Sequence, residues 1–205
     1  MNIAIIGAGN VGTALAQGWY KAGHLVKFGV RNPESDKTQK ALSALPGAEV
    51  STIAEAVQFA EVVVITTPAD AVLELIPQLG SLAGKTVIDT TNAIRSKPLP
   101  YQTAYEAIKA QTGIESVVKC FNTTGFENMA DPVYPDGALD MFMAGSHAPA
   151  KAVAKQLALD LGFADCLDFG GDDKVALLEQ WALCWINLAI MQGHGRNVGF
   201  KLIRR

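Results

Sequence analysis

The stretch IAIIGAGNVGTALAQGWYKAGHLVKFGVRNP, Ile3–Pro33, decides the fold of this chain. An apolar run of strand length leads into glycines spaced GxGxxG, and an amphipathic segment of helix length follows. In such a turn the first glycine permits the tight bend, the second lets the backbone approach a pyrophosphate, and the third allows close helix packing. The N–H groups and dipole at the helix start attract phosphate. The candidate dinucleotide-binding residues here are Gly7, Gly9, Asn10, Val11 and Gly12.

Composition bounds the class of protein. The chain has 205 residues, of which 49% are hydrophobic and 18% charged, so a full core is expected. The net charge of −3 and the lack of a Lys/Arg run argue against a nucleic-acid partner. Without CxxC spacing, the cysteines are expected to be reduced and packed in the core; they are Cys120, Cys166 and Cys184. The three histidines are scattered, and no metal site is expected.

No membrane partner is expected. The apolar N-terminus lacks a basic region and is interrupted by glycines, unlike a signal peptide. The apolar run Trp181–Met191 is shorter than the roughly 20 residues that a bilayer requires. We therefore expect a cytoplasmic protein in which this run belongs to a helix.

Strand-like and helix-like segments alternate along the first part of the chain. Candidate strands are Ile3–Gly7, Leu25–Val30, Val62–Thr66, Thr86–Thr90 and Val117–Phe121. Candidate helices are Val11–Ala22, Pro33–Ser43, Ala69–Leu79 and Tyr101–Ala110. Because several of these strands are apolar throughout, they are expected to be covered on both faces. The order predicts an α/β fold with a doubly wound, mainly parallel Rossmann-type sheet.

The amino-acid composition changes after Phe121. The segment Asn122–Asp140 is rich in Gly, Pro, Asn and Asp and is predicted to be a long irregular loop. The remaining predicted elements are a strand Met141–Gly145, a helix Ala148–Leu161, a strand Ala164–Phe169 and a long helix Lys174–Met191. We expect a Rossmann part over residues 1–123 and a small α/β extension over residues 124–205, joined in one compact unit. We expect the last helix to pack in the core or to form a homodimer interface. We expect the extension to bind the molecule that accepts hydride from the nucleotide.

The residues at the end of the second predicted strand indicate whether the nucleotide is NAD(H) or NADP(H). An NAD site carries Asp or Glu about 20 residues beyond the glycines. Here Arg31 stands nineteen residues after Gly12, and its guanidinium suits a 2′-phosphate, which favours NADP(H). Asn32 is expected to cap the next helix, with Pro33 at its first position. Polar residues after later strands are further candidates for the crevice, although Thr and Asn also form ordinary turns; they are Thr66, Thr67, Pro68, Asn92, Asn122 and Thr123.

No general acid–base pair is evident, and the catalytic residues stay unassigned. Reduction of a carbonyl needs a proton donor near the forming alkoxide. Hydride transfer to a flavin-like ring does not, because the acceptor is itself a cofactor. The sequence thus favours hydride exchange between two cofactors.

Several motifs together resemble a known family. IAIIGAGNVGTALAQGWYKAGHLVKFGVRNP, VVVITTPADAV, VIDTTNAI, VVKCFNT and the closing GRNVGFKLI are similar to the NADP-dependent oxidoreductases of the deazaflavin coenzyme. They are also similar to the NADPH-binding domain of the STEAP metalloreductases. The resemblance implies NADP(H), a deazaflavin or FMN/FAD as acceptor, and a 2′-phosphate held by Arg31. The family pattern has a small hydroxyl residue before that arginine, where this chain has Val30.

Two alternatives stay open at this point. One is a short carbonyl or imine reductase related to the 3-hydroxy acid and pyrroline carboxylate reductases, which begin alike but continue into a longer helical domain. The other is a non-catalytic sensor that binds NADP(H).

Overall fold

The computed structural model describes residues 1–205, and an eight-stranded sheet organises them. The strands of this sheet are β1 (Asn2–Ile6), β2 (Leu25–Gly29), β3 (Glu49–Ser51), β4 (Val62–Ile65), β5 (Thr86–Asp89), β6 (Val117–Cys120), β9 (Asp140–Ala144) and β10 (Asp165–Asp168). Their order across the sheet is β10-β9-β6-β5-β4-β1-β2-β3. All neighbours are parallel except β6 and β9. A separate two-stranded hairpin consists of β7 (Val133–Tyr134) and β8 (Gly137–Ala138).

Helices cover both faces of the sheet. They are α1 (Asn10–Lys21), α2 (Asp36–Ala44), α3 (Ile53–Phe59), α4 (Val72–Leu75), α5 (Ala104–Thr112), α6 (Phe126–Ala130), α7 (Ala148–Asp160) and α8 (Val175–Ile186). Successive residues of β1 point to opposite sides, so Ile3 and Ile5 pack in one core while Ala4 and Ile6 pack in the other. The predicted fold class, a doubly wound and mainly parallel Rossmann-type sheet with a C-terminal extension, is confirmed.

Several predicted boundaries were wrong. The short strand β3 and the helix α3 were missed, because three strand residues and a seven-residue helix give little periodic signal. The predicted helix Ala69–Leu79 is broken: α4 is flanked by 3₁₀ turns, and Pro77 lies in the second of them. The predicted loop Asn122–Asp140 contains α6 and the β7–β8 hairpin.

The predicted long last helix is also divided. A 3₁₀ turn precedes α8, and a π-helical turn, Asn187–Met191, follows it. Together these segments form a 20-residue helical stretch, Asp172–Met191, with the length and mean hydropathy of a membrane span, although one of its faces packs on the sheet. Cys184 lies on its exposed side, which corrects the expectation that all the cysteines are buried; Cys120 and Cys166 are in the core.

Candidate functional site

The turn between β1 and α1 is shaped by its three glycines. Gly7 has φ +111°, a conformation that favours glycine. A Cβ on Gly12 would lie 2.4 Å from the Gly7 carbonyl oxygen, so the helix can approach the strand only without a side chain there. Thr66 Oγ1 fastens the turn by donating to the carbonyls of Ile6 and Gly7, each at 3.0 Å.

The N-terminus of α1 is free to meet an anion. Gly9 is its N-cap, no side chain caps it, and its first turn carries no acidic residue. A Cβ on Gly9 would meet nothing within 4 Å, so open space lies above the turn. A twelve-residue helix whose first N–H groups and dipole face open space suits a phosphate.

A cavity of about 300 Å³ extends from this turn along the ends of β2 and β4. We call it the nucleotide cavity. It gathers seven of the predicted residues: Gly7, Gly9, Arg31, Asn32, Thr66, Thr67 and Pro68. Three further lining residues that sequence reasoning missed bring a hydroxyl or an ammonium group to the Arg31 end: Ser35, Lys37 and Thr38.

At the Arg31 end of the cavity, the arginine makes only a weak ion pair within the protein, so a bound phosphate would displace little. The Arg31 side chain is two-thirds exposed, and its nearest carboxylate, Glu74, lies 3.6 Å from Nη1. Asn32 does not cap α2 as predicted: its Oδ1 accepts from the Glu34 N–H, and Ser35 is the N-cap. The predicted cap failed because Pro33 and Glu34 form a turn before the helix begins.

Buried side-chain oxygens without hydrogen-bond partners follow the ends of β4, β5 and β6. The second residue after each of these strands holds a buried side-chain oxygen without a hydrogen-bond partner: Thr67 Oγ1, Thr91 Oγ1 and Asn122 Oδ1. Because the carboxyl ends of adjacent parallel strands meet at one edge, these oxygens share a side of the crevice. Buried polar atoms without a hydrogen-bond partner are unusual and call for an explanation.

Asn92 and Asn122 are brought together by the structure. Asn122 Nδ2 donates to Asn92 Oδ1 at 3.0 Å, and Asn92 Nδ2 donates to the Asn122 carbonyl at 2.9 Å. Phe121, fully buried just before Asn122, adopts φ +60°, which is rare for a bulky residue and typical of functional loops. The predicted residue Thr123 is buried and contacts Met141 Sδ, and none of Asn92, Asn122 and Thr123 is among the residues that line the nucleotide cavity.

Beneath these strand ends lies an ion cluster that sequence reasoning missed. Lys119 Nζ lies 2.9 Å from Asp89 Oδ2 and 2.6 Å from Glu179 Oε1, and all three side chains are buried. We call Asp89, Lys119 and Glu179 the buried ion cluster. The available signal was a charged residue inside the apolar strands VVKC and TVID, since a buried charge requires a partner.

An open groove of about 1050 Å³ adjoins the nucleotide cavity along α1. Gly9, Asn10 and Val11 line one side of it, and Phe126 and Arg196 line the other. We call it the α1 groove.

Arg196 is fixed at the edge of the α1 groove. Its guanidinium bonds both carboxylate oxygens of Glu127 and lies 5.2 Å from the Phe126 ring centre and 5.3 Å from that of Trp185. Although burial opposes the shift, the bond to Arg196 lowers the pKa of Glu127. The C-terminal tail therefore forms a wall beside the glycine turn.

Comparison with known proteins finds a partial match to one family model and full-length relatives of one kind. The sequence profile described as "NADP oxidoreductase coenzyme F420-dependent" matches residues 2–93. The chain is 27% identical to the F420-dependent NADP reductase of Methanothermobacter marburgensis, with 98% of each chain covered. The predicted resemblance to this family is confirmed. The solved structure of a candidate F420-dependent NADP reductase from Arthrobacter sp. FB24 matches with a TM-score of 0.88 and 28% identity, covering 100% of both chains.

Other relatives match through part of their length. Rat metalloreductase STEAP3 is 28% identical over 82% of this chain, which spans 33% of that protein. The glycerol-3-phosphate dehydrogenase [NAD(P)+] of Azotobacter vinelandii is 30% identical over 46% of this chain, and the match spans 32% of that protein. An imine reductase from Myxococcus stipitatus shares the fold, with a TM-score of 0.68 at 18% identity, and the chain covers 61% of it.

Proposed function

We propose that this protein transfers hydride between NADP(H) and a deazaflavin or flavin ring bound beside it. The observation that carries the proposal is the nucleotide cavity, which joins an uncapped helix N-terminus to the cationic end at Arg31. The full-length relatives confirm the broader prediction of an NADP-dependent oxidoreductase. The acceptor and the residue roles are proposals.

The residues present fit a dinucleotide phosphate. Over the glycine turn, the first N–H groups of α1 would hold the pyrophosphate. Arg31, Ser35 and Lys37 would hold the 2′-phosphate, with Ser35 supplying the hydroxyl that Val30 cannot.

The nicotinamide half would extend the other way, over β4, β5 and β6. We propose that the unpartnered oxygens of Thr67, Thr91 and Asn122, which are closed to solvent here, become acceptors for the carboxamide and ribose hydroxyl donors when the nucleotide binds. Asn92 would hold Asn122 in place through their paired amides.

The 2′-phosphate role is tested by Arg31→Ala. Loss of one charge-assisted hydrogen bond costs about 1.5–3 kcal/mol, so NADPH binding should weaken by roughly 10- to 150-fold while NADH binding changes little. Titration of both nucleotides against the parent and the variant measures this difference. Lys21→Ala, at the far end of α1, is the matched control, and equal losses for both nucleotides with Arg31→Ala would refute the assignment.

The acceptor is proposed from the walls of the α1 groove. Phe126 and Arg196 flank it, and the groove shares Gly9 and Thr66 with the nucleotide cavity. A flat ring that enters this groove would lie beside the glycine turn, and hydride transfer requires it to extend from there toward the nicotinamide over the ends of β4, β5 and β6. Nicotinamide supplies the hydride, and the protein's part is to hold the two rings in register.

The surrounding side chains favour a ring acceptor over a carbonyl. At the ends of β5 and β6 the ionisable groups of the buried ion cluster bond to one another and to a backbone N–H, and on the groove wall Glu127 is paired with Arg196. A carbonyl reductase would need a group beside the acceptor that is free to donate a proton.

Anaerobic NADPH oxidation, assayed in parallel with a deazaflavin, FMN, FAD and a panel of carbonyls and imines, tests the acceptor. We expect turnover with a ring cofactor. Reduction of a carbonyl or imine alone would establish the alternative reductase, and NADPH binding with no turnover would establish the sensor.

A further inference from the structure

The buried ion cluster carries a net negative charge, and no second cation lies within ion-pair distance of its carboxylates. One ammonium group faces two carboxylates, which gives the cluster a net charge of −1. Asp89 and Lys119 are 0% exposed and Glu179 is 5% exposed. Bulk water and salt screen such a charge far less than a surface charge.

The hydrogen bonds show that both carboxylates are ionised. Asp89 Oδ1 accepts from the Thr91 N–H at 2.9 Å, and Glu179 Oε2 accepts from the Ala93 N–H at 3.0 Å. The other oxygen of each group accepts from Lys119 Nζ. All four oxygens therefore accept from N–H donors, and none faces an acceptor to which a carboxyl proton could be given.

The cluster lies beneath one particular half of the crevice. Asp89 ends β5, and Lys119 is the last but one residue of β6. Arg31 follows β2, which lies on the other side of β1. A dinucleotide with its 2′-phosphate at Arg31 and its pyrophosphate over Gly9 therefore extends its nicotinamide toward β4, β5 and β6.

We infer that the buried ion cluster favours the oxidised, cationic nicotinamide over the neutral reduced ring, and so makes the bound nucleotide a stronger hydride donor. This inference rests on the proposed binding of NADP(H). The two rings differ by one positive charge, and a fixed negative charge in a low-dielectric site stabilises the cationic form. Asp89, Lys119 and Glu179 act here as an electrostatic group, and none of them needs to touch the reacting carbon.

The test is the ratio of two dissociation constants, Kd for NADP⁺ over Kd for NADPH, measured by calorimetry on the full chain. Glu179→Gln and Asp89→Asn each neutralise the cluster, and each should raise the ratio by about three- to tenfold. Lys119→Arg keeps the charge and should leave the ratio unchanged. Glu115→Gln, which removes an exposed carboxylate beside Lys109, is the control for charge elsewhere.

The possible results separate the inference from the proposed function. If the parent protein binds neither nucleotide, the proposed function fails. If it binds both, and folded Glu179→Gln or Asp89→Asn leaves the ratio unchanged, or Lys119→Arg shifts it equally, the electrostatic inference is overturned. Should the neutral variants fail to fold, the parent decides: we expect it to bind NADP⁺ more tightly than NADPH, and the reverse order would overturn the inference.

Discussion

The two halves of the crevice are built from different parts of the chain. On the β1–β2 side, backbone geometry makes the site: Gly7 turns, Gly9 leaves open space, and the N-terminus of α1 faces it. On the β5–β6 side, buried side chains make it, through the buried ion cluster and the Asn92–Asn122 pair. The first half depends on having no side chains, whereas the second depends on having specific ones.

Because of this difference, we expect substitutions in the first half to affect mainly ligand binding and substitutions in the second half to affect mainly the stability of the fold. Adding a side chain at Gly9 should change what binds there, because space for the phosphate is the main requirement at that position. Removing Lys119 from the ion cluster should change stability first, because two buried carboxylates would then be left without a counter-charge. Substitutions in the two halves test whether the separation holds.

Gly9→Val should have the largest effect. Its backbone is already extended and its Cβ would meet no protein atom, so the fold should persist with a nearly unchanged Tm. The branched side chain would fill the space required by the pyrophosphate, and binding of NADPH and NADH should fall by at least about 100-fold. Calorimetric titration with a thermal melt of each variant measures both quantities.

Gly12→Val is the matched partner in the same turn. Because a Cβ there collides with the Gly7 carbonyl, the Tm should fall together with binding. If a folded Gly9→Val protein bound NADPH normally, the pyrophosphate would have to bind elsewhere. The glycine turn could then no longer be distinguished from the ion cluster by its role in binding.

Lys119→Met should destabilise the fold by about 3–5 kcal/mol, because two buried carboxylates lose their counter-charge. Chemical denaturation provides the free energy of unfolding. Lys27→Met is the control, since Lys27 also lies in a strand but pairs with the exposed Glu49, and its loss should cost less than about 1 kcal/mol. Similar costs for the two lysines would show that burial of the cluster does not govern stability.

The same contrast explains what the sequence could reveal. The GxGxxG spacing and Arg31 predicted the turn and the cationic end because those features are local in sequence. Glu179 lies 60 residues from Lys119 and 90 from Asp89, so only tertiary packing shows that they meet. Lys37 was missed for a similar reason, as a lysine on an amphipathic helix resembles any solvated residue.

A partly exposed cluster around Asp172, in the turn just before α8, should give the smallest effect. Burial opposes the shift, but bonds from Lys109, Tyr105 and Ser146 hold the pKa of Asp172 far below its usual range. A carboxylate with a depressed pKa contributes stability above its unfolded pKa, near 3.9, and loses it as the pH falls toward the folded value. Asp172→Asn should therefore cost about 1 kcal/mol at pH 7, discounted for exposure, and progressively less below pH 4.

The neighbouring Asp173→Asn, at an exposed surface pair, is the control for the Asp172 measurement and should change stability little at either pH. Denaturant titrations at pH 7 and pH 3 provide the comparison. A cost for Asp172→Asn that stays constant between these pH values would contradict the role assigned to its charge.

Transfer of deuterium from NADPH labelled at nicotinamide C4 tests the central claim most directly. The protein is incubated anaerobically with each stereoisomer of the labelled nucleotide and with a deazaflavin, and the reduced ring is analysed by mass spectrometry. We predict that one stereoisomer delivers its deuterium to the ring and the other does not, because a single pair of stacked faces is held in the crevice. Failure of both stereoisomers to label a deazaflavin and to reduce FMN or FAD, while a carbonyl or imine takes up the deuterium, would contradict the account.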